Sequence, residues 1–183
     1  MYNILKEIIY DKAQLKHYDS SENSFYIKEN GQVECKRITL LKFESESTTF
    51  GFELDCKDVR YKGIHKISPY LENGKGFDKG NDGIIFTTIK EQKYIFICEL
   101  KDGAKGFISQ FKSSRVFVEY IKSILKVYYG KNTDNMIMKY IVFSKKGNLY
   151  KTTNGKFVIS KQDGVDFYHL PCSQMKYYIT SFI

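Results

Sequence analysis

Tryptophan is absent from the chain, and histidine and cysteine are scarce, at three and four residues of 183. Each scarcity removes a class of chemistry. His17, His65 and His169 stand too far apart to form an HExxH centre, and His169-Leu170-Pro171-Cys172 offers at most half a metal site. Zinc chemistry and cysteine–histidine catalysis are therefore set aside. Cys35, Cys56, Cys98 and Cys172 contain no CxxC pair, and three of them lie in apolar or strand-like stretches. A free thiol there packs as a small hydrophobe, so reduced cysteines are expected. Long apolar runs are missing too: nothing approaches the ~20 residues that a membrane span needs. The opening "MYNILKEIIYDKAQLK" carries charges where a secretory leader would hold its apolar segment. The expected setting is the cytoplasm, with no membrane partner. Phosphate-binding loops are also lacking. There is no GxxxxGK followed by Ser or Thr and no GxSxG, and "GKGFDKG" precedes a strand where a dinucleotide loop would open a helix.

What is present is a chain 42% hydrophobic and 16% aromatic, enough for one substantial core and short for two. A single domain over residues 1–183 is expected. The net charge of +8 favours polyanionic partners, of which nucleic acid is the commonest. A lysine-rich composition also follows from codon bias, so charge alone assigns no ligand.

Apolar spacing predicts an amphipathic helix from residue 1 to about 17, on Ile4, Leu5, Ile8, Ile9 and Leu15. "SFYIKENGQVECKRITLLKFE" alternates around Asn30-Gly31 and reads as two antiparallel strands joined by a two-residue turn. Phe50, Phe52 and Leu54 mark a third strand. Residues 62–81, rich in glycine and lysine, read as a long connection. "DGIIFTTIKEQKYIFICELK" is the clearest hairpin, and a long helix with a basic outer face follows from Phe107 to about Tyr129. "MKYIVFSK" is a further strand, "NLYKTTNGKFVIS" a hairpin over Asn154-Gly155, and "YYITSFI" a segment able to close the sheet. The expected class is α/β, a central mixed sheet flanked by helices.

Glu-x-Lys occurs more than once in this lysine-rich chain, at Glu34, Glu91 and Glu99, and Asp55-Cys56-Lys57 is similar. Only Glu99-Leu100-Lys101 ends an apolar strand, follows an acidic residue at the head of the partner strand, and leads through glycines into a basic helix. A two-residue turn at Lys90-Glu91 sets Asp82 opposite Glu99, with Lys101 on the same face. Carboxylates at such a spacing repel unless a cation sits between them. With the backbone carbonyl of Leu100 they suit Mg²⁺, or Mn²⁺ in its place, and a neighbouring lysine can orient a water for phosphodiester hydrolysis.

Asp82 and Glu99-Leu100-Lys101 on consecutive strands, followed by a helix with Gln110, resemble the PD-(D/E)XK superfamily of restriction-endonuclease-like nucleases. The resemblance covers residues 78–145. Asn81 stands where the signature has proline. It implies a restriction-endonuclease-like fold, catalytic Asp82, Glu99, Lys101 and Gln110, a Mg²⁺ site at Asp82, Glu99 and Leu100, and Glu7 as an additional acid from the first helix. Lys112 and Arg115 are candidate phosphate contacts. The implied activity is Mg²⁺-dependent cleavage of DNA or RNA within a defence or repair system, alone, as a homodimer or with a partner protein. The alternative is a non-catalytic nucleic-acid-binding or protein-interaction module on the same fold.

Overall fold

Side-chain alternation builds most of the molecule. A computed structural model describes residues 1–15, 18–29, 35–56, 79–103 and 105–183, and among these the chain forms ten strands in two sheets with two α-helices. The strands are β1 (Tyr18–Asp19), β2 (Ser24–Lys28), β3 (Arg37–Leu41), β4 (Thr49–Phe52), β5 (Gly83–Ile89), β6 (Gln92–Lys101), β7 (Ile137–Ser144), β8 (Ile159–Gln162), β9 (Val165–Pro171) and β10 (Lys176–Tyr178). The helices are α1 (Tyr2–Ile8) and α2 (Phe107–Tyr129).

The large sheet runs β4-β5-β6-β7-β9-β8. Its first three strands form an antiparallel meander, β7 is parallel to β6 and β9 to β7, and β8 returns antiparallel. Ile84, Phe86, Ile95 and Ile97 face one way, packing with Leu5 of α1 and with Phe107, Phe111, Val118, Ile121 and Leu125 of α2. Ile85, Ile89, Phe96, Cys98 and Leu100 face the other way. They meet Phe25, Ile27, Ile38, Leu40 and Tyr177 of the small sheet, ordered β1-β2-β3-β10. Burial on both faces explains why β5 and β6 read as nearly continuous apolar runs. The mixed α/β class is as expected, with one correction: among the described residues helices cover one face of the central sheet, and a second sheet covers the other. The β2–β3 hairpin has an apolar face of its own, and the central sheet is where it is buried. "YYITSFI" accordingly closes the small sheet, with β10 parallel to β3.

The β5–β6 ladder runs from Ile89 opposite Gln92 to Gly83 opposite Cys98, the expected register. Lys90 and Glu91, at φ 50° and 66°, make the two-residue turn with both residues in the left-handed region. Helix α2 has the expected bounds and ends on Gly130 at φ 60°. Helix α1 is shorter than expected. The Gln14 amide donates to the carbonyls of Lys6 and Ile9, each at 2.8 Å, satisfying the helix end, and Asp11–Ala13 forms a 3₁₀ turn.

Lys28 pairs with Arg37, and the Glu29 N–H still reaches the Lys36 carbonyl at 3.0 Å. The two strands are therefore joined through residues 30–35 and not by a two-residue turn; Asn30-Gly31 itself lies outside the described residues, as does most of the 62–81 connection. The expected turn over Asn154-Gly155 is present as a short antiparallel pairing, with a Lys151–Phe157 bridge, the Thr152 N–H on the Lys156 carbonyl at 2.8 Å and the Val158 N–H on the Tyr150 carbonyl at 3.0 Å; a longer hairpin, β8–β9, follows over Asp163-Gly164. Cys35 and Cys172 form a disulfide, correcting the expectation of four reduced thiols; Cys56 and Cys98 are buried as thiols. Among the described residues no helix is long and apolar enough to cross a membrane.

Candidate active site

Gly83 opposite Cys98 sets Asp82 opposite Glu99 one step further along the ladder. Glu99 leaves β6 on the helix-covered face, between Ile97 and Lys101. Both carboxyls are buried, with 4% of Asp82 and 1% of Glu99 exposed. Lys101 Nζ lies 2.7 Å from Glu99 Oε1, and Asn81 Nδ2 donates to Glu99 Oε2 at 2.6 Å. Gln110, in the first turn of α2, also hydrogen-bonds Glu99 and donates through Nε2 to the Gly80 carbonyl at 3.0 Å. It thus ties the helix to the segment that enters Asp82. The Leu100 N–H donates to Asp82 Oδ2 at 2.7 Å. A strand residue's N–H and C=O leave on the same edge, so the Leu100 carbonyl is directed toward the same side of β6.

The electrostatics follow from this enclosure. Burial, then the charge of Glu99, then a side-chain hydrogen bond with Glu29 hold the Asp82 carboxyl well above its ordinary range, and the Leu100 N–H opposes them. Burial also raises Glu99, while Lys101, Asn81 and Gln110 pull it back. Of the two, Glu99 has the fuller set of partners for its charged form. Lys101, Asn81 and Gln110 together take three of the roughly four lone-pair positions of its two oxygens. Two buried polar atoms have no partner among the described residues, Asn81 Oδ1 and Ser114 Oγ.

Asp82, Glu99, Leu100, Lys101 and Gln110 are therefore brought together. Glu7 is exposed on α1, and no described contact joins it to them. Lys112 and Arg115 are exposed on α2, on faces turned away from Gln110, with Arg115 near Tyr140 of β7. The acid that the sequence did not reveal is Glu29, half-buried just beyond β2 and in contact with Asp82. Nothing in its surroundings marks it, because its importance comes from the packing of one sheet on another. Asn81, standing where the signature has proline, holds Glu99 through its side-chain amide. At the next strand Ser144 lies beside Lys101 in register, and its Oγ is 2.7 Å from His169 Nε2. His169 thus has a hydroxyl partner, and Cys172 is taken up by the disulfide.

Comparison with models of known protein families, with curated proteins and with solved structures finds no match for this chain.

Proposed function

We propose that the protein is a metal-dependent nuclease hydrolysing phosphodiester bonds of DNA or RNA, built on a restriction-endonuclease-like core. The observation that carries the reading is Asp82 facing Glu99 at the end of one hairpin, with Lys101 Nζ 2.7 Å from Glu99. The order α1, the β4–β5–β6 meander, α2, then β7 parallel to β6 supports it, as does a glutamine entering from α2.

The donors fit a hard divalent ion: two carboxyls that burden each other with like charge, the Leu100 carbonyl edge, and Asn81 Oδ1, which has no partner among the described residues. Asp82 and Glu99 would hold Mg²⁺, or Mn²⁺ as its substitute. Bound there, the ion supplies charge neutralisation at a phosphate and a more acidic water. Lys101, the most exposed of the group with 24% of its side chain accessible, orients the attacking water and faces the developing anion. Gln110 and Asn81 hold the carboxylates in place. Lys112 and Arg115 serve as more distant phosphate contacts, and a cytoplasmic defence or repair assembly, with a second copy or a partner protein, is the setting this reading implies.

Asp82→Asn and Lys101→Met should each abolish Mg²⁺-dependent cleavage of labelled plasmid and RNA while circular dichroism stays native. Full activity in Asp82→Asn would end the proposal. A second reading, a non-catalytic binding module, is favoured by the near-complete burial of Asp82 and Glu99 and by the engagement of both Glu99 oxygens. A groove of about 470 Å³ on the small sheet, lined in part by Tyr26, Arg37 and Lys176, gives such a module a surface. Salt-sensitive binding of nucleic acid without Mn²⁺ uptake would select it.

A further inference from the structure

The outer face of the small sheet carries a groove that the Asp82–Glu99 cluster does not use. Phe25, Ile27, Ile38, Leu40 and Tyr177 turn inward to the central sheet, so alternation turns Tyr26, Lys28, Arg37, Thr39 and Lys176 outward. Tyr26 pairs with Thr39 and Thr39 with Lys176, and all three line the groove of about 470 Å³. Its two ends differ in charge. Near β1 stand Asp19 and Glu22, and both are engaged. Asp19 Oδ1 accepts the Ser21 N–H at 2.8 Å and the Ser21 hydroxyl at 2.6 Å, and Glu22 takes Lys176 Nζ at 3.2 Å.

At the other end Lys28 and Arg37 are directly opposed across β2 and β3, both exposed. Like charges so placed, with Cβ atoms about 5 Å apart, destabilise a sheet unless an anion joins them. Among the described residues neither has an ion pair. Arg37 reaches diagonally to Tyr26 and lays its guanidinium over the ring, with Cζ 4.0 Å from the centroid. This contact holds a planar cation in place within the groove, where its face can stack on a base while its edge N–H groups bind phosphate. A duplex keeps its bases stacked inside the helix, out of reach of such a platform; a single strand can splay them onto it. The acids near β1 repel phosphate and accept N–H and O–H donors, so they favour the base and sugar at their own end and the phosphate at the Lys28–Arg37 end.

We infer that this groove is a binding site for single-stranded nucleic acid, with a phosphate between Lys28 and Arg37 and a base stacked on the Arg37 guanidinium above Tyr26. The inference rests on nucleic acid being the partner, which both functional readings share, and is independent of cleavage. The groove lies on the outer face of the second layer, so a strand held there leaves the cluster at the end of the β5–β6 hairpin uncovered.

The test is fluorescence anisotropy of short labelled single-stranded RNA and DNA, and of the matching duplex, with the full chain in EDTA over a series of salt concentrations. Single strands should bind more tightly than the duplex. Arg37→Ala should weaken single-strand binding by roughly 10-fold or more. Arg37→Lys should keep the salt dependence and lose affinity, because the charge stays and the stacking plane goes. Lys28→Ala should lower the slope of log affinity against log salt by about 0.7, one phosphate contact. Lys161→Ala, an exposed lysine on β8, should change neither, and thermal unfolding should be native for every variant. Single-strand binding that Arg37→Ala and Lys28→Ala leave unchanged overturns the inference and keeps nucleic acid as the partner, as does a preference for the duplex. No binding of any of the three overturns both the inference and the partner it rests on.

Discussion

Asp82 lives with a carboxyl held above its ordinary range, and stability responds to that with a definite sign. Between the unfolded value near 3.8 and the higher folded one, the native state retains a proton that the unfolded chain has released. Stability contributed by this group is therefore present at low pH and falls as pH rises through that interval. Asp82→Asn removes the titrating group and keeps an oxygen for the Leu100 N–H. It should raise the melting temperature of the metal-free protein at neutral pH by a few degrees, ~1 kcal/mol in a chain of this size, and the gain should vanish toward pH 4. Differential scanning calorimetry across that range checks it. Lys101 gives the opposite outcome. Lys101→Met strands Glu99 with an unpaired buried charge and should cost ~3 kcal/mol. Adding Glu99→Gln should recover most of the loss, measured by urea denaturation of the single and double variants.

The β5–β6 hairpin carries the site, and its turn is chemically ill-suited to its shape. Lys90 and Glu91 both occupy the left-handed region, which asparagine and glycine adopt more readily. Replacing them by Asn-Gly should stabilise the protein by ~1 kcal/mol; the Lys90 N–H, donated to Glu44, survives the change. Denaturant midpoints would register the gain. This hairpin was legible because one short turn sets every pairing that follows, and α2 was legible because 23 residues keep one period. Elements ended by tertiary contacts were less so. Helix α1 stops where Gln14 folds back on its carbonyls, and the periodicity alone ran past that point. The β8–β9 turn over Asp163-Gly164, at φ 48° and 78°, carries a signal of the same kind as the neighbouring Asn154-Gly155, and the longer ladder forms at the former.

At the scale of the molecule, what escaped the sequence is what joins distant segments. Cys35 and Cys172 are 137 residues apart, and no spacing announces their bond. Glu29 reaches Asp82 only because one sheet lies on another. Asp82, Glu99, Lys101 and Gln110 come from one contiguous stretch, residues 82–110, and that part of the site could be read. Cys172→Ser should lower stability by ~3–5 kcal/mol, since the bridge closes a very long loop in the unfolded chain; reducing agent should reproduce the loss in the wild type and leave the variant unchanged. The parallel pairing of β10 with β3 has a consequence for synthesis. A polypeptide still emerging from the ribosome can form the hairpin bearing Asp82 and Glu99, but the edge of β3 stays open until β10 arrives. The second layer is thus completed late, and a nascent copy carries its acidic pair before that layer can cover the hairpin.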